Sequence, residues 1–289
     1  MLQVPQTIKT FFDAVPVKNI SNDHTKLDDI NIYHFQGTSN SQAKFTLAVF
    51  NTTQEGDLII PTDPISLGYT LILSHKSKFT LPKENGSSNC GIMAMSHLGS
   101  PNNVLPVLIE DDNLRNIKTL DSINHDLIEN NFDSHEAKLV NSLVDSKFYD
   151  VWVQCILNED LPYKVLSELF GLDETIEGNV VLRETQKYEF LTQVANWNSF
   201  KLRHPTLFEQ WTRTNYLKNY YESQIGEFAK DLQLIIEYLN NNSDEQSTLI
   251  KHKVAGYMIS IDKFLKSTKL GDVVVSQGEF LHQCYDLLV

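Results

Sequence analysis

A short apolar strand, a helix opened by proline, a second proline set directly before another apolar strand, and a further helix follow one another between residues 45 and 128. Past them the chain reads as helix alone. Together these observations predict an α/β plus all-α chain: a thioredoxin-like N-terminal domain joined to a C-terminal helical domain, in a glutathione-transferase-like layout.

Residues 1–39 read as an N-terminal extension with a short helix. Pro5 suits a first helical position, and Ile8, Phe11, Phe12 and Val15 fall on one helical face. A polar stretch rich in Asn, Asp and Ser runs on to about Ser41, and the alternation in Ile30-Asn31-Ile32-Tyr33-His34-Phe35 predicts a strand within it. The thioredoxin-like domain is expected over residues 40–131 and opens with the strand Phe45-Thr46-Leu47-Ala48-Val49-Phe50. After it, Asn51, Thr52 and Thr53 begin an expected stretched loop toward Pro61. Asp63 can accept backbone N–H bonds at an N-cap, and Pro64 fits the next position because that N–H has no helical partner. Ile65, Tyr69 and Ile72 give the helix its predicted apolar face, and residues 83–91 read as a loop. Pro106 precedes Val107-Leu108-Ile109 and is expected to be cis, turning the chain sharply into its strand. Leu120, Ile123, Leu127 and Ile128 form the next helix face.

The all-helical domain is expected over residues 132–289, with the boundary near Asn130–Ser134. Leu139, Val140, Leu143, Val144, Phe148, Val151, Trp152, Cys155 and Ile156 recur at three and four residues and predict one long helix with a broad stripe. A second follows from Leu217 to Leu239 and a third from Val254 to Leu265, with Asn240–Gln246 as a polar connector. The last is expected to open with a capping box, Ser276 to Glu279, and to turn Phe280, Leu281, Cys284, Tyr285 and Leu288 inward.

Composition narrows the function classes. Net charge is -13 and only four arginines occur, which argues against nucleic acid, because phosphate contacts demand basic surface. The same sign disfavours direct adsorption to anionic lipid. No run approaches the length of a membrane span, and Met1-Leu2-Gln3-Val4-Pro5 lacks the pattern of a secretory signal. Three cysteines, Cys90, Cys155 and Cys284, form no C-x-x-C pair and point to a reducing compartment; Cys155 and Cys284 fall on apolar helix faces as core residues.

Catalytic chemistry is sparse. A glutathione site needs a hydroxyl or thiol just after the first strand and a Glu/Gln-Ser pair opening the third helix. Thr52 could supply the first; Thr119-Leu120 or Asp121-Ser122 restores neither half of the second cleanly, and Ser122 reads more simply as a helix-start residue. His135-Glu136 lacks the second His of a zinc-protease helix, His204-Pro205 reads as a helix start, and Glu110-Asp111-Asp112 as a charged turn. No dinucleotide fingerprint, P-loop or nucleophile elbow is present. No catalytic residue, cofactor or metal ligand is therefore assigned.

Several runs, in order and spacing, carry a resemblance. Val4-Pro5-x-x-Ile8-Lys9-x-Phe11-Phe12-Asp13-x-x-Pro16, the strand before Asn51, Thr62-Asp63-Pro64 and Leu105-Pro106-Val107-Leu108-Ile109-Glu110 resemble the fungal metaxin-like subunits of the mitochondrial sorting and assembly machinery. Tyr149-Asp150-x-Trp152 is similar to a feature of the long helix in that family; the specific matches lie in about the first 150 residues. The resemblance implies a peripheral protein on the cytosolic face of the mitochondrial outer membrane, without enzyme activity or cofactor. It also implies partners: the barrel-forming core subunit of the machinery, a second metaxin-like subunit, and the sorting signals of β-barrel precursors. Membrane association would then run through protein. The face formed by Ile8, Phe11 and Phe12 lies outside the thioredoxin-like unit and is the candidate partner contact. Two alternatives stand beside this reading: a divergent glutathione-transferase-like enzyme, and another cytosolic adaptor on the same fold.

Overall fold

The structure, a computed structural model, describes residues 32–37, 44–111, 115–172, 180–209 and 214–289. The expected N-terminal helix, with Ile8, Phe11 and Phe12, lies outside the described residues.

The apolar run after Lys44 becomes the middle of a sheet. β1 spans Ile32–Gln36, as its alternation predicts, and β2 spans Phe45–Val49. β2 pairs in parallel with β6 (Gly91–Ala94) and antiparallel with β7 (Val107–Asp111), so that Leu47 faces Ile92 on one side and Leu108 on the other. With β5 (Thr80–Lys83) and β8 (Arg115–Lys118) the order is β5-β1-β6-β2-β7-β8. Leu47, Ala48 and Val49 are buried in succession, which is why this strand reads as continuous rather than alternating apolar sequence. The peptide bond between Leu105 and Pro106 is cis, as expected. The stretched loop expected after Asn51 is instead a hairpin of β3 (Thr52–Glu55) and β4 (Leu58–Pro61). Gly56, at φ 59°, supplies the left-handed turn residue between them.

Helix α1 (Pro64–Ser77) starts as its sequence dictates: Asp63 accepts from Ser66 N at 2.9 Å, with Pro64 at the first helical position. The three-residue face expected for it is too narrow. Leu67, Gly68, Thr70, Leu71 and Leu73 are buried as well, because β2, β4 and β5 pack on one side of α1 and helix α10 (Glu245–Phe264) on another. The α1–α10 crossing is backbone against backbone. A Cβ on Gly256 would meet Pro64 O at 2.4 Å and Gly68 N at 2.6 Å. Ser260 Oγ donates to Thr62 O at 2.7 Å, and Thr62 Oγ1 donates to Leu169 O at 2.7 Å, so the start of α1 is tied to two helices distant in sequence.

Among the described residues no strand follows Lys118. α2 (Leu120–Leu127) leads to α3 (His135–Leu143), a π-helical turn (Val144–Phe148) and α4 (Tyr149–Asn158). The single long helix expected here is therefore interrupted, and Leu139, counted in its stripe, is 63% exposed. A π turn holds an extra residue and rotates the faces on either side of it. α5 (Tyr163–Phe170), α6 (Val180–Val194), α7 (Phe200–Arg203), α8 (Pro205–Glu209) and α9 (Thr214–Asn241) precede α10. α9 runs through Asn241 and Asp244 caps α10 at Ser247 N, so the polar connector is shorter than expected. α11 (Lys269–Ser276) and α12 (Gly278–Asp286) complete the chain. The expected capping box does not form: Ser276 ends α11 and its hydroxyl donates to Val273 O at 2.6 Å, leaving Gln277 at the α12 cap without a side-chain bond. Phe280, Cys284 and Leu288 are buried as predicted, while Leu281 and Tyr285 are half-buried.

Candidate functional site

A cleft of about 590 Å³ opens between α1, α2, α3 and α10. Its walls mix polar and apolar surface, and its floor is a charge network that the sequence does not announce. Lys253 projects from α10 with its side chain 7% exposed, directly before the buried run Val254–Ile261. It ion-pairs with Asp145 of the π turn and donates to Asn141 Oδ1 at 2.9 Å and Asn124 Oδ1 at 3.1 Å. Its three N–H donors are thereby used, and the Tyr69 ring lies beneath the ammonium at 5.9 Å. Asn141 Nδ2 donates back to Asp145 at 3.0 Å, Tyr69 Oη donates to Asn124 Oδ1 at 2.9 Å, and Asn124 Nδ2 reaches Glu129 at 2.8 Å. So enclosed, Lys253 is a structural tie between α10, α2 and the π turn.

Asp150 makes a second network. It is 5% exposed, between Tyr149 and Trp152 in the apolar stripe of α4. Arg203 Nε donates to both of its oxygens, at 3.1 and 3.0 Å, and Nη2 to Oδ1 at 2.5 Å. His204 Nε2 lies 2.8 Å from Oδ2, and its Nδ1 lies 3.0 Å from Tyr220 Oη. The carboxylate only accepts, so Nε2 carries a proton here. Burial pushes the Asp150 carboxyl up, but His204 and Arg203 outweigh it and hold it below the usual carboxylate range. The network ties α4 to the end of α7 and to α9.

Over 312 aligned positions, the chain is 23% identical to the Sorting assembly machinery 35 kDa subunit of Saccharomyces cerevisiae, covering 97% of this chain and 95% of that protein. Residues 2–110 match the family described as SAM35, subunit of SAM complex. Over residues 2–110 the chain is similar to the SAM35 family. The SAM35 match takes in the N-terminal extension, all of α1 and β7 up to Glu110, and stops before α2.

The residues first considered for catalysis are scattered. Thr52 pairs with Pro61 in the hairpin, Ser122 is exposed on α2, and neither lines the cleft. Glu110 and Asp111 lie within β7 and bond Lys118 and Arg115 of β8, so they are strand-pair charges. His135 opens α3 behind the Ser134 cap, and Pro205 opens α8. All three cysteines are buried. Burial pushes the Cys155 thiol up to about 11 and the Cys284 thiol up to about 12, far from thiolate at neutral pH. Among the described residues no group of three or more His, Cys, Asp or Glu side chains could hold a metal ion, and no helix is long and apolar enough to cross a membrane. Sequence reading missed Lys253, Asp145 and Arg203. The available signal was a charge inside an apolar run, as at Asp150 and Lys253.

Proposed function

We propose that this chain is a subunit of the sorting and assembly machinery of the mitochondrial outer membrane and aids insertion of β-barrel precursors. Similarity to the yeast 35 kDa subunit along nearly the whole of both chains carries this reading. It agrees with the resemblance of the N-terminal runs and with the SAM35 match over residues 2–110. The chain acts as a binding subunit and not as an enzyme. Thiolate conjugation or acyl transfer would need an activated nucleophile, and the polar groups of the cleft floor are spent on one another.

The finer reading has four parts. The α/β half is thioredoxin-like and the whole glutathione-transferase-like, supported by the capped start of α1 and the cis Leu105–Pro106 bond. The division into domains falls at residues 131 and 132. The protein sits peripherally on the cytosolic face, held by the barrel-forming core subunit beside a second metaxin-like subunit, and meets the sorting signals of precursors. A precursor strand carries unpaired backbone groups until its barrel closes, so a protein surface near the closing seam has a physical task. Ile8, Phe11 and Phe12 form the candidate contact.

Affinity purification of the tagged chain from detergent-solubilised mitochondria tests the assignment. A barrel-forming outer-membrane protein is expected in stoichiometric amount; recovery of the chain alone, with retention on a glutathione matrix, would replace the assembly role with the transferase reading.

A further inference from the structure

The six-stranded sheet ends on one side in β5 and on the other in β8. A sheet edge presents unpaired backbone groups, and proteins commonly blunt it with proline or charge. β5 is blunted: Pro82 within it has no N–H to offer, and β4 packs against it. β8, Arg115-Asn116-Ile117-Lys118, contains no proline. Which of its backbone groups point outward follows from the register. Asp111 N donates to Lys44 O at 2.8 Å, so Asp111 and, by alternation, Ile109 turn their backbone groups to the β2 side. Glu110 and Leu108 then bond β8, where their partners are Asn116 and Lys118. Arg115 and Ile117 are left with N–H and C=O directed away from the sheet. Among the described residues neither makes a backbone bond on that side.

Side chains leave the edge open as well. Arg115 Nε donates to Asp111 Oδ1 at 2.9 Å, and Lys118 Nζ pairs with Glu110 at 2.8 Å and Asp126 at 2.9 Å. Both cations of β8 are thus turned back onto the protein's own carboxylates. Ile117 is 48% exposed and lies across the strand pair from half-buried Ile109, so the edge carries an apolar step on one face and Asn116 with Lys118 on the other. Charge narrows the occupant. Glu110, Asp111 and Asp126 outnumber Arg115 and Lys118 here, in a chain of net charge -13. A second copy would bring like charge to like, whereas a strand with basic or uncharged side chains would not.

We propose that β8 is a docking edge for an extended strand of another protein, held by the outward backbone groups of Arg115 and Ile117. The identity of that strand rests on the assembly reading: it is a non-acidic strand of a β-barrel precursor, whose own backbone groups stay unpaired until its barrel closes. A barrel strand has one apolar row and one polar row. The apolar row falls beside Ile117 and the polar row beside Asn116. Recognition through the backbone serves strands of differing sequence.

Fluorescence anisotropy of the full-length protein with a labelled synthetic peptide, Lys-Val-Thr-Val-Thr-Val-Thr-Val-Lys, tests the edge. Saturable binding is expected; its absence would overturn the edge. Ile117→Pro should weaken binding about tenfold or more, since it removes an outward N–H and no bond to β7. Unchanged affinity in a folded Ile117→Pro protein would equally overturn it. Two N-methylated peptides give a second reading on the parent chain. Methylation at the Val nitrogens alone or at the Thr nitrogens alone blocks opposite edges of the peptide, so one should bind and the other fail. Loss of both, or of neither, would rule out docking through the backbone. A free chain that sediments as a dimer, and as a monomer after Ile117→Pro, would give the edge to a second copy and overturn the precursor as occupant. Peptide binding without a barrel-forming partner in the affinity purification would support the edge and remove the assembly role. A barrel-forming partner without peptide binding would do the reverse.

Discussion

Asp63 and His252 show how burial sets opposite pH responses within one chain. Asp63 caps α1, yet burial raises it from 3.8 to about 6, so the folded state binds a proton that the unfolded state has lost. Its contribution to stability therefore falls as pH rises from about 4 through about 6, by about 3 kcal/mol for a shift of this size. His252 donates from Nδ1 to Thr248 O at 2.7 Å, and burial lowers it from 6.5 to about 4. The unfolded chain takes that proton first, so the His252 contribution is lost as pH falls from about 6.5 toward about 4. The two slopes oppose. Urea unfolding of Asp63→Asn should expose the His252 slope, with stability rising steeply between about pH 4.5 and about pH 6.5, while the parent chain stays flatter over that interval. Parallel profiles for the two proteins would contradict the burial assigned to Asp63. For Asp150, replacement by Asn leaves Arg203 and His204 facing a neutral amide. A loss of about 2 to 4 kcal/mol is expected by thermal or urea unfolding, at the lower end because Arg203 is partly solvated.

At the scale of elements, the crossing of α1 and α10 is set by glycine. Gly256→Ala gains about 1 kcal/mol of helix propensity but drives a methyl into backbone atoms that cannot move aside as a side chain would. Gly68→Ala meets Lys253 Cα at 3.2 Å and asks for a smaller shift. Gly256→Ala is expected to cost about 3 kcal/mol or more, and Gly68→Ala distinctly less, by urea unfolding. Equal costs would mean that the helices do not touch where Gly256 places them. Helix starts give a second comparison. Asp244 accepts from Ser247 N at 2.7 Å, whereas the Ser276 hydroxyl donates back to Val273 O of the preceding helix. Asp244→Ala should cost about 1 kcal/mol and Ser276→Ala under about 0.5 kcal/mol. A larger loss at Ser276 would restore the capping box.

The whole molecule is strongly acidic, and among its described residues no helix can cross a bilayer. The proposed anchor is protein rather than lipid, on the ground of that charge joined to the proposed assembly role. If Phe11 and Phe12 are the anchor, their joint replacement by alanine should move the protein into the soluble fraction of mitochondria with its melting temperature nearly unchanged, since a buried interface aromatic is commonly worth about 2 kcal/mol or more. Full retention would remove that contact, and tight binding of the pure protein to protein-free anionic vesicles would remove the idea of a protein anchor.

The sequence by itself determined the local order. Asp63 before Pro64, Pro106 before Val107, and the apolar spacing around Ile123, Trp152 and Phe228 are signals between near neighbours, and each appears as an element or a buried face where it was expected. It also carried the resemblance, because that lay in short runs such as Leu105–Glu110. Only the tertiary structure decided the rest. The hairpin at Thr52–Pro61, the π turn at Val144–Phe148 and the unformed box at Ser276 each went against a plausible local reading. Their competing choices differ locally by about 1 kcal/mol, which packing against distant elements easily outweighs. The partners of Lys253, Asp150 and Gly256 were illegible for the same reason. Asp145, Arg203 and Pro64 lie far from them along the chain, and no spacing in the sequence records a neighbour that only the packed helices bring near.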